Sequence, residues 1–126
     1  MVLTQKDVRE VQLAKAAIRA GIELLAERLG VQVEDIRQVF LAGAFGNYMD
    51  PASACRIGMI PPVLLDRFVP IGNAAGEGAK LCALSRSEYL YSQTLAEHTE
   101  FLELASLPQF QDCYVDALEF CEEDME

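Results

Sequence analysis

Apolar residues step along the first third of the chain at Val11, Ala14, Ile18, Ile22, Leu25 and Leu29, spacings of three and four that draw one stripe on an α-helix. A second stripe, Leu13, Ala17, Ala20 and Leu24, lies beside it. Together they predict a helix over Asp7–Leu29 that is buried on more than one side and alanine-rich in its first half, where a neighbour can pack close. Thr4 is the expected N-cap with Asp7 in the first turn, and Gly30 the expected terminator. After a connection at Val31–Ile36 with one short turn at Glu34-Asp35, the pattern changes. Val39–Ala42 is apolar throughout, which suits a buried parallel strand.

Gly43, Ala44 and Gly46 then form a bare-backbone turn, and Asp50-Pro51 opens a helix that runs to about Ile57 and stops at Gly58. Met59–Pro62 breaks the chain, and Val63–Asp66 reads as one helical turn. Phe68–Ile71 is a second strand, with Pro70 near an edge or bulge because proline cannot donate to a ladder. Gly72-Asn73 repeats the strand–turn–helix order and leads into a helix from Ala74 to about Ser85. Ser87–Thr99 is a further helix, Phe101–Leu104 alternates weakly as a third strand, and Leu107-Pro108 starts a last helix carrying Phe110, Tyr114, Val115, Leu118 and Phe120. The order predicts an α/β fold: a short, mostly parallel sheet packed by helices.

The whole chain, 1–126, is long enough for a single domain, with 87–126 as a C-terminal helical extension containing one strand. Three strands are few against the apolar surface of the first helix. The chain is therefore read as part of a larger protein, or as one that needs a partner. No apolar run approaches the ~20 residues that span a bilayer, and the N-terminus shows no leader pattern, so the expectation is a cytoplasmic protein with no membrane contact. Net charge is −10, which argues against a nucleic-acid surface and is compatible with a basic protein partner. Much of the excess lies at Glu119 and over Glu122–Glu126, a solvated end. Cys55, Cys82, Cys113 and Cys121 form no CxxC pair and no ferredoxin spacing. They read as small apolar residues, not as metal ligands.

Ligands of open parallel sheets bind outside the carboxyl ends of the strands, where both glycine turns fall. Gly43 and Gly46 leave the backbone bare. Asn47 and Asn73 can hydrogen-bond a base, a ribose or the turn itself. Asp50 suits an N-cap better than a metal ligand, and the helix it opens points its positive end toward the same crevice. There is no GxGxxG and no P-loop lysine. No Ser/His/Asp or Cys/His set stands at useful spacing, so no catalytic residue is assigned. His98 reads as a capping residue near a helix end. Of the four tyrosines only Tyr48 is placed to touch a ligand.

The turn Leu41-Ala42-Gly43-Ala44 with Pro51, and Gly72–Ala79 at a helix start, resemble the last part of the nucleotide-binding lobe of the sugar kinase/actin superfamily, a ribonuclease H-like fold. Within it, residues 4–18 (TQKDVREVQLAKAAI), 41–51 (LAGAFGNYMDP), 70–75 (PIGNAA), 101–105 (FLELA) and Phe110 resemble the C-terminal region of the reductive activators of corrinoid proteins. The resemblance runs to about Phe120. It implies a parent that binds ATP with Mg²⁺ in a two-lobed domain and hydrolyses it slowly. The parent would carry a [2Fe–2S] cluster on a separate domain absent from this chain. It would return the inactive Co(II) corrinoid of a corrinoid iron–sulfur protein or methyltransferase component to Co(I).

It further implies an adenine/ribose half-site at Gly43, Ala44, Gly46, Asn47, Gly72, Asn73 and Ala74. The remaining lobes of the parent chain would be the nearest partners; separately, the wide apolar face of the first helix predicts self-association of the chain alone, a homodimer being one form of it. A half-site cannot fix triphosphate and metal, so weak ATP affinity is expected of the chain alone. Two other readings stand beside this one: an ATP-dependent activator of another low-potential enzyme, and a non-catalytic interaction module.

Overall fold

The structure, a computed structural model, describes residues 2–120, and of Phe45 and Asn47 only the backbone; Cys121 and the acidic cluster over Glu122–Glu126 lie outside the described residues. The elements run α1 (Gln5–Leu29), β1 (Val39–Ala42), α2 (Gly43–Tyr48), α3 (Pro51–Arg56), β2 (Phe68–Gly72), α4 (Ala74–Leu84), α5 (Arg86–Glu97) and α6 (Pro108–Asp116). Single 3₁₀ turns stand at Val33–Asp35, Pro62–Arg67 and Leu104–Ser106. Two compact units emerge. The first holds residues up to Val39, Met49–Phe68 and the chain from Glu103 on; the second holds Phe40–Tyr48 and Val69–Leu102.

In the first unit α1 begins with a capping box: the Thr4 hydroxyl accepts from the Asp7 N–H at 3.3 Å, and the Asp7 carboxylate accepts from the Thr4 N–H at 2.9 Å. It ends at Gly30, whose φ of 67° turns the chain while its N–H meets the Ala26 and Glu27 carbonyls. The interior face of α1 is small: Ala16 and Ala20 are fully buried, and Leu104 packs 3.3 Å from where a Cβ would stand on Gly21. Cys55, Ile60 and Leu64 form the core, ringed by Ile22, Val33, Ile36, Val39, Met59 and Phe68. The Arg67 guanidinium donates to the carbonyls of Glu34 (2.6 Å) and Ile36, tying the approach to β1 onto the end of the 3₁₀ turn.

Burial of α1 differs from the expectation. Val11, Ile18, Leu25 and Leu29 of the first stripe are exposed, and Lys15 is buried instead, at 1% exposure. Its ammonium donates to the carbonyls of Ala117 (2.7 Å) and Glu119 and sits 4.9 Å from the centre of the Phe120 ring. Gln12 adds a bond to the Leu118 carbonyl at 3.2 Å. Ala117 is the C-cap residue of α6, and a cation beside a helix C-terminus is favourable, so Lys15 closes the end of α6 and holds the turn that follows.

The second unit pairs β1 with β2 in a two-stranded parallel sheet, with α4 and α5 packed as a helical hairpin. Two expectations fail here. The alternation at Phe101–Leu104 forms no strand: residues 101–103 are irregular, and Leu104, which belongs to the first unit, opens a 3₁₀ turn. The turn after β1 is not a loop but helix α2, beginning at Gly43 itself. β1 is also less covered than a buried strand: Phe40 is 57% exposed.

Candidate functional site

Because β1 and β2 are parallel and adjacent, the reversals at Gly43 and Gly72 follow the same, carboxyl, ends of both strands. Gly43 takes φ 65° and Gly72 φ 59°, left-handed values that L side chains adopt only with strain. Neither has a heavy atom within 4 Å of where a Cβ would stand. The two backbones are thus free of neighbouring side chains, the property a ligand approaching main-chain groups requires.

The other expected site residues divide. Ala44 and Asn73 are exposed, and Ala74 is half-buried at the first position of α4. Gly46 has a different reason to be glycine. A Cβ there would stand 2.4 Å from the Leu41 carbonyl oxygen, so Gly46 lets α2 close onto the strand before it. Asn47 lies on α2, and nothing of its side chain is described. Asn73 is the N-cap of α4: its Oδ1 accepts from the Gly76 N–H at 3.1 Å. Tyr48 ends α2 at 89% exposure.

Asp50 is the N-cap of α3, as the sequence implied. Its carboxylate accepts from the Ser53 hydroxyl at 2.6 Å and N–H at 2.8 Å, and these bonds hold its pKa below the usual aspartate value. α3 belongs to the first unit, whereas both glycine reversals belong to the second. His98 is the C-cap residue of α5, with Nδ1 2.7 Å from the Thr94 carbonyl oxygen.

The first unit holds a cavity of about 240 Å³ lined by Lys15, Arg19, Glu23, Gly58, Cys113 and Asp116 among others. Burial, and then Glu23, Glu27 and Asp116, push the Cys113 thiol pKa up, so it is not a poised nucleophile. Burial does the same to Cys55. Among the described residues no group of three or more His, Cys, Asp or Glu side chains could hold a metal, and no helix is long and apolar enough to cross a membrane. Gly76, absent from the expected set, donates its N–H to the Asn73 cap, and a Cβ on it would stand 2.4 Å from Asn73 Nδ2, the free end of that side chain. The spacing Asn73-x-x-Gly76 was visible in the sequence, but helix-interior glycine by itself signals only low propensity.

Comparison with known proteins gives these turns a setting. Residues 1–126 match a family described as the C-terminal domain of RACo, the ASKHA domain. The chain is 44% identical over 115 residues to the corrinoid activation enzyme RamQ of Eubacterium limosum, covering 91% of this chain and 19% of RamQ. It is 29% identical over 128 residues to the [Co(II) methylated amine-specific corrinoid protein] reductase of Methanosarcina barkeri, covering 98% of this chain and 23% of that protein. A solved reductive activator for corrinoid, iron–sulfur protein superposes with a TM-score of 0.82 at 32% identity, over 92% of this chain and 18% of the other. The chain therefore spans about a fifth of the length of these relatives. The fold expected from sequence, helices on a short parallel sheet in an actin/sugar-kinase-like lobe, is in accord with that match. With its whole length matched, the chain belongs to the family of C-terminal ASKHA domains of RACo.

Proposed function

We propose that this chain is the C-terminal part of the nucleotide-binding domain of an ATP-dependent reductive activator, one that returns a Co(II) corrinoid protein to Co(I). Its own contribution is the adenine/ribose side of the nucleotide site, at Gly43, Ala44, Gly46, Asn47, Gly72, Asn73 and Ala74. The observation that carries this reading is the pair of left-handed glycines, Gly43 and Gly72, standing in open space at the carboxyl ends of two parallel strands. Family membership and the names of the relatives support the corrinoid side. The ATP, the Mg²⁺ and the [2Fe–2S] cluster belong to the longer parent that the resemblance implies. There, ATP would supply the energy and the cluster the electron. The residues of this chain would orient the nucleoside and leave the phosphates to the other lobe.

The test is a chimera in which this chain replaces the matching fifth of RamQ. A folded chimera should support ATP-dependent reduction of a Co(II) corrinoid protein. Ala44→Phe, which fills the approach without demanding a left-handed φ, should remove the dependence on ATP while leaving cluster content unchanged. A folded chimera without ATP-dependent reduction, or full ATP dependence in the Ala44→Phe variant, overturns the assignment.

A further inference from the structure

α1 turns its two apolar stripes to different uses. Ala20 and Leu24 of the second are buried, whereas Val11, Ala14, Ile18, Leu25 and Leu29 of the first are exposed. Ile22 is the one member of the first stripe that packs on the core. The uncovered residues form a seam from Val11 to Leu29, about 27 Å long at 1.5 Å per residue. The charges beside it indicate what fits. Glu10 and Arg28 are both exposed and stand eighteen residues apart, about five full turns, so they fall in one line on the same flank of the seam. That flank is acidic at one end and basic at the other, which makes it complementary to itself turned end for end. We propose that the seam is covered by the same seam of a second copy, the two α1 helices running antiparallel about a two-fold axis near Ile18. Ile18 then meets Ile18 of the other copy, Val11 meets Leu25, and Glu10 meets Arg28 at both ends. A parallel pair would instead set Glu10 against Glu10 and Arg28 against Arg28. Arg19, near the axis on the opposite flank, is already paired with Glu23 at 2.5 Å and adds little repulsion. Ala14 is small and lets the two helices approach. Each chain carries a net charge of −10, which opposes unspecific association and leaves the matched seam to select the partner.

Light scattering on the full chain, from micromolar to millimolar concentration, tests this. The chain should be a dimer that dissociates to a monomer on dilution. Ile18→Glu sets two carboxylates against each other on the axis and should leave a monomer with an unchanged far-UV spectrum, because Ile18 lies at the surface. Glu10→Arg and Arg28→Glu alone each replace two attractions with two repulsions and should raise the dissociation constant by about tenfold. The double variant Glu10→Arg/Arg28→Glu restores both pairs and should recover the affinity of the unaltered chain. These charge variants lie at exposed positions and read the seam even where Ile18→Glu fails to fold. A monomer at every concentration overturns the inference, and so does a dimer that survives Ile18→Glu. Single charge reversals without effect, or a double variant no tighter than the singles, overturn the antiparallel seam.

Discussion

The two units are built to opposite standards of burial. The first closes a core at Cys55, Ile60 and Leu64 and buries Ala16, Ala20 and Leu24 of α1. In the second, none of the residues whose burial is described is buried, and Phe40, Leu81, Leu84, Tyr89, Leu90, Tyr91 and Leu95 are each half or more exposed. Yet the second unit carries the strand–turn–helix reversals. A two-stranded sheet has open edges and is marginal in water by itself. The difference teaches where order comes from in each unit. Hydrophobic burial holds the first, while caps and helix-hairpin packing hold the second. The proposed nucleoside edge stands on these weakly buried elements, the kind that a docked ligand or lobe can order.

The sharpest way to break this contrast is amide hydrogen exchange on the chain. Amides in the middle of α1, near Ala16 and Ala20, should exchange several orders of magnitude more slowly than those of α4 and α5. The reason is that opening the core costs the unit's full stability, whereas the exposed hairpin opens locally. Comparable protection in both units would erase the distinction.

Single truncations sharpen it further. Leu64, at 1% exposure, sits in the core, and Leu64→Ala should cost about 2–5 kcal/mol through lost burial and the cavity left behind. Leu84, at 80% exposure, has little to lose, and Leu84→Ala should change stability by less than about 0.5 kcal/mol. Urea titration monitored at 222 nm measures both. A large loss at Leu84 would mean that the second unit hides an interior.

How much of this was legible in the sequence depended on whether neighbours in the chain or distant residues decided the outcome. β1 was read correctly at Val39–Ala42 because polar Gln38 and left-handed Gly43 bracket four apolar residues. α3 was legible because Asp50 and Pro51 carry their own cap and first turn. α2 was missed because two glycines argue against helix, yet Gly46 is required by the Leu41 carbonyl, a contact the sequence order does not display. The third strand was wrong because Leu104 is captured by Gly21 on α1, which overrides a weak local alternation. Lys15 drew no reading from the sequence, where it stands beside the first apolar stripe. Its partners are carbonyls about a hundred residues away. Of the candidate site, the two reversals could be seen. The use of Asn73 as the N-cap of α4 could not, since it depends on where the Gly76 N–H lies.

The smallest expected effect concerns acid. In the first unit the caps of α1 and α3 use carboxylates. Asp7 has its pKa lowered by the Thr4 hydroxyl and then the Thr4 N–H, and Asp50 by the Ser53 hydroxyl and then the Ser53 N–H. In the second unit Asn73 caps α4 and Ser85 caps α5, and neither titrates. A carboxyl whose pKa is lower folded than unfolded contributes stability above the ordinary aspartate value of about 3.9 and loses it as pH falls through the lowered folded value. Both carboxyls are fully exposed, so the loss is small and local. Amide resonances of Asp7 and Ser53 should therefore move, and their protection fall, as pH drops below about 4, while those of Gly76 and Glu88 stay in place. Asp50→Asn keeps a neutral cap and should abolish the response at Ser53 alone. If Gly76 and Glu88 follow the same acid titration as Ser53, the caps of the two units are coupled, and the division between a carboxylate-capped half and a neutral-capped half fails.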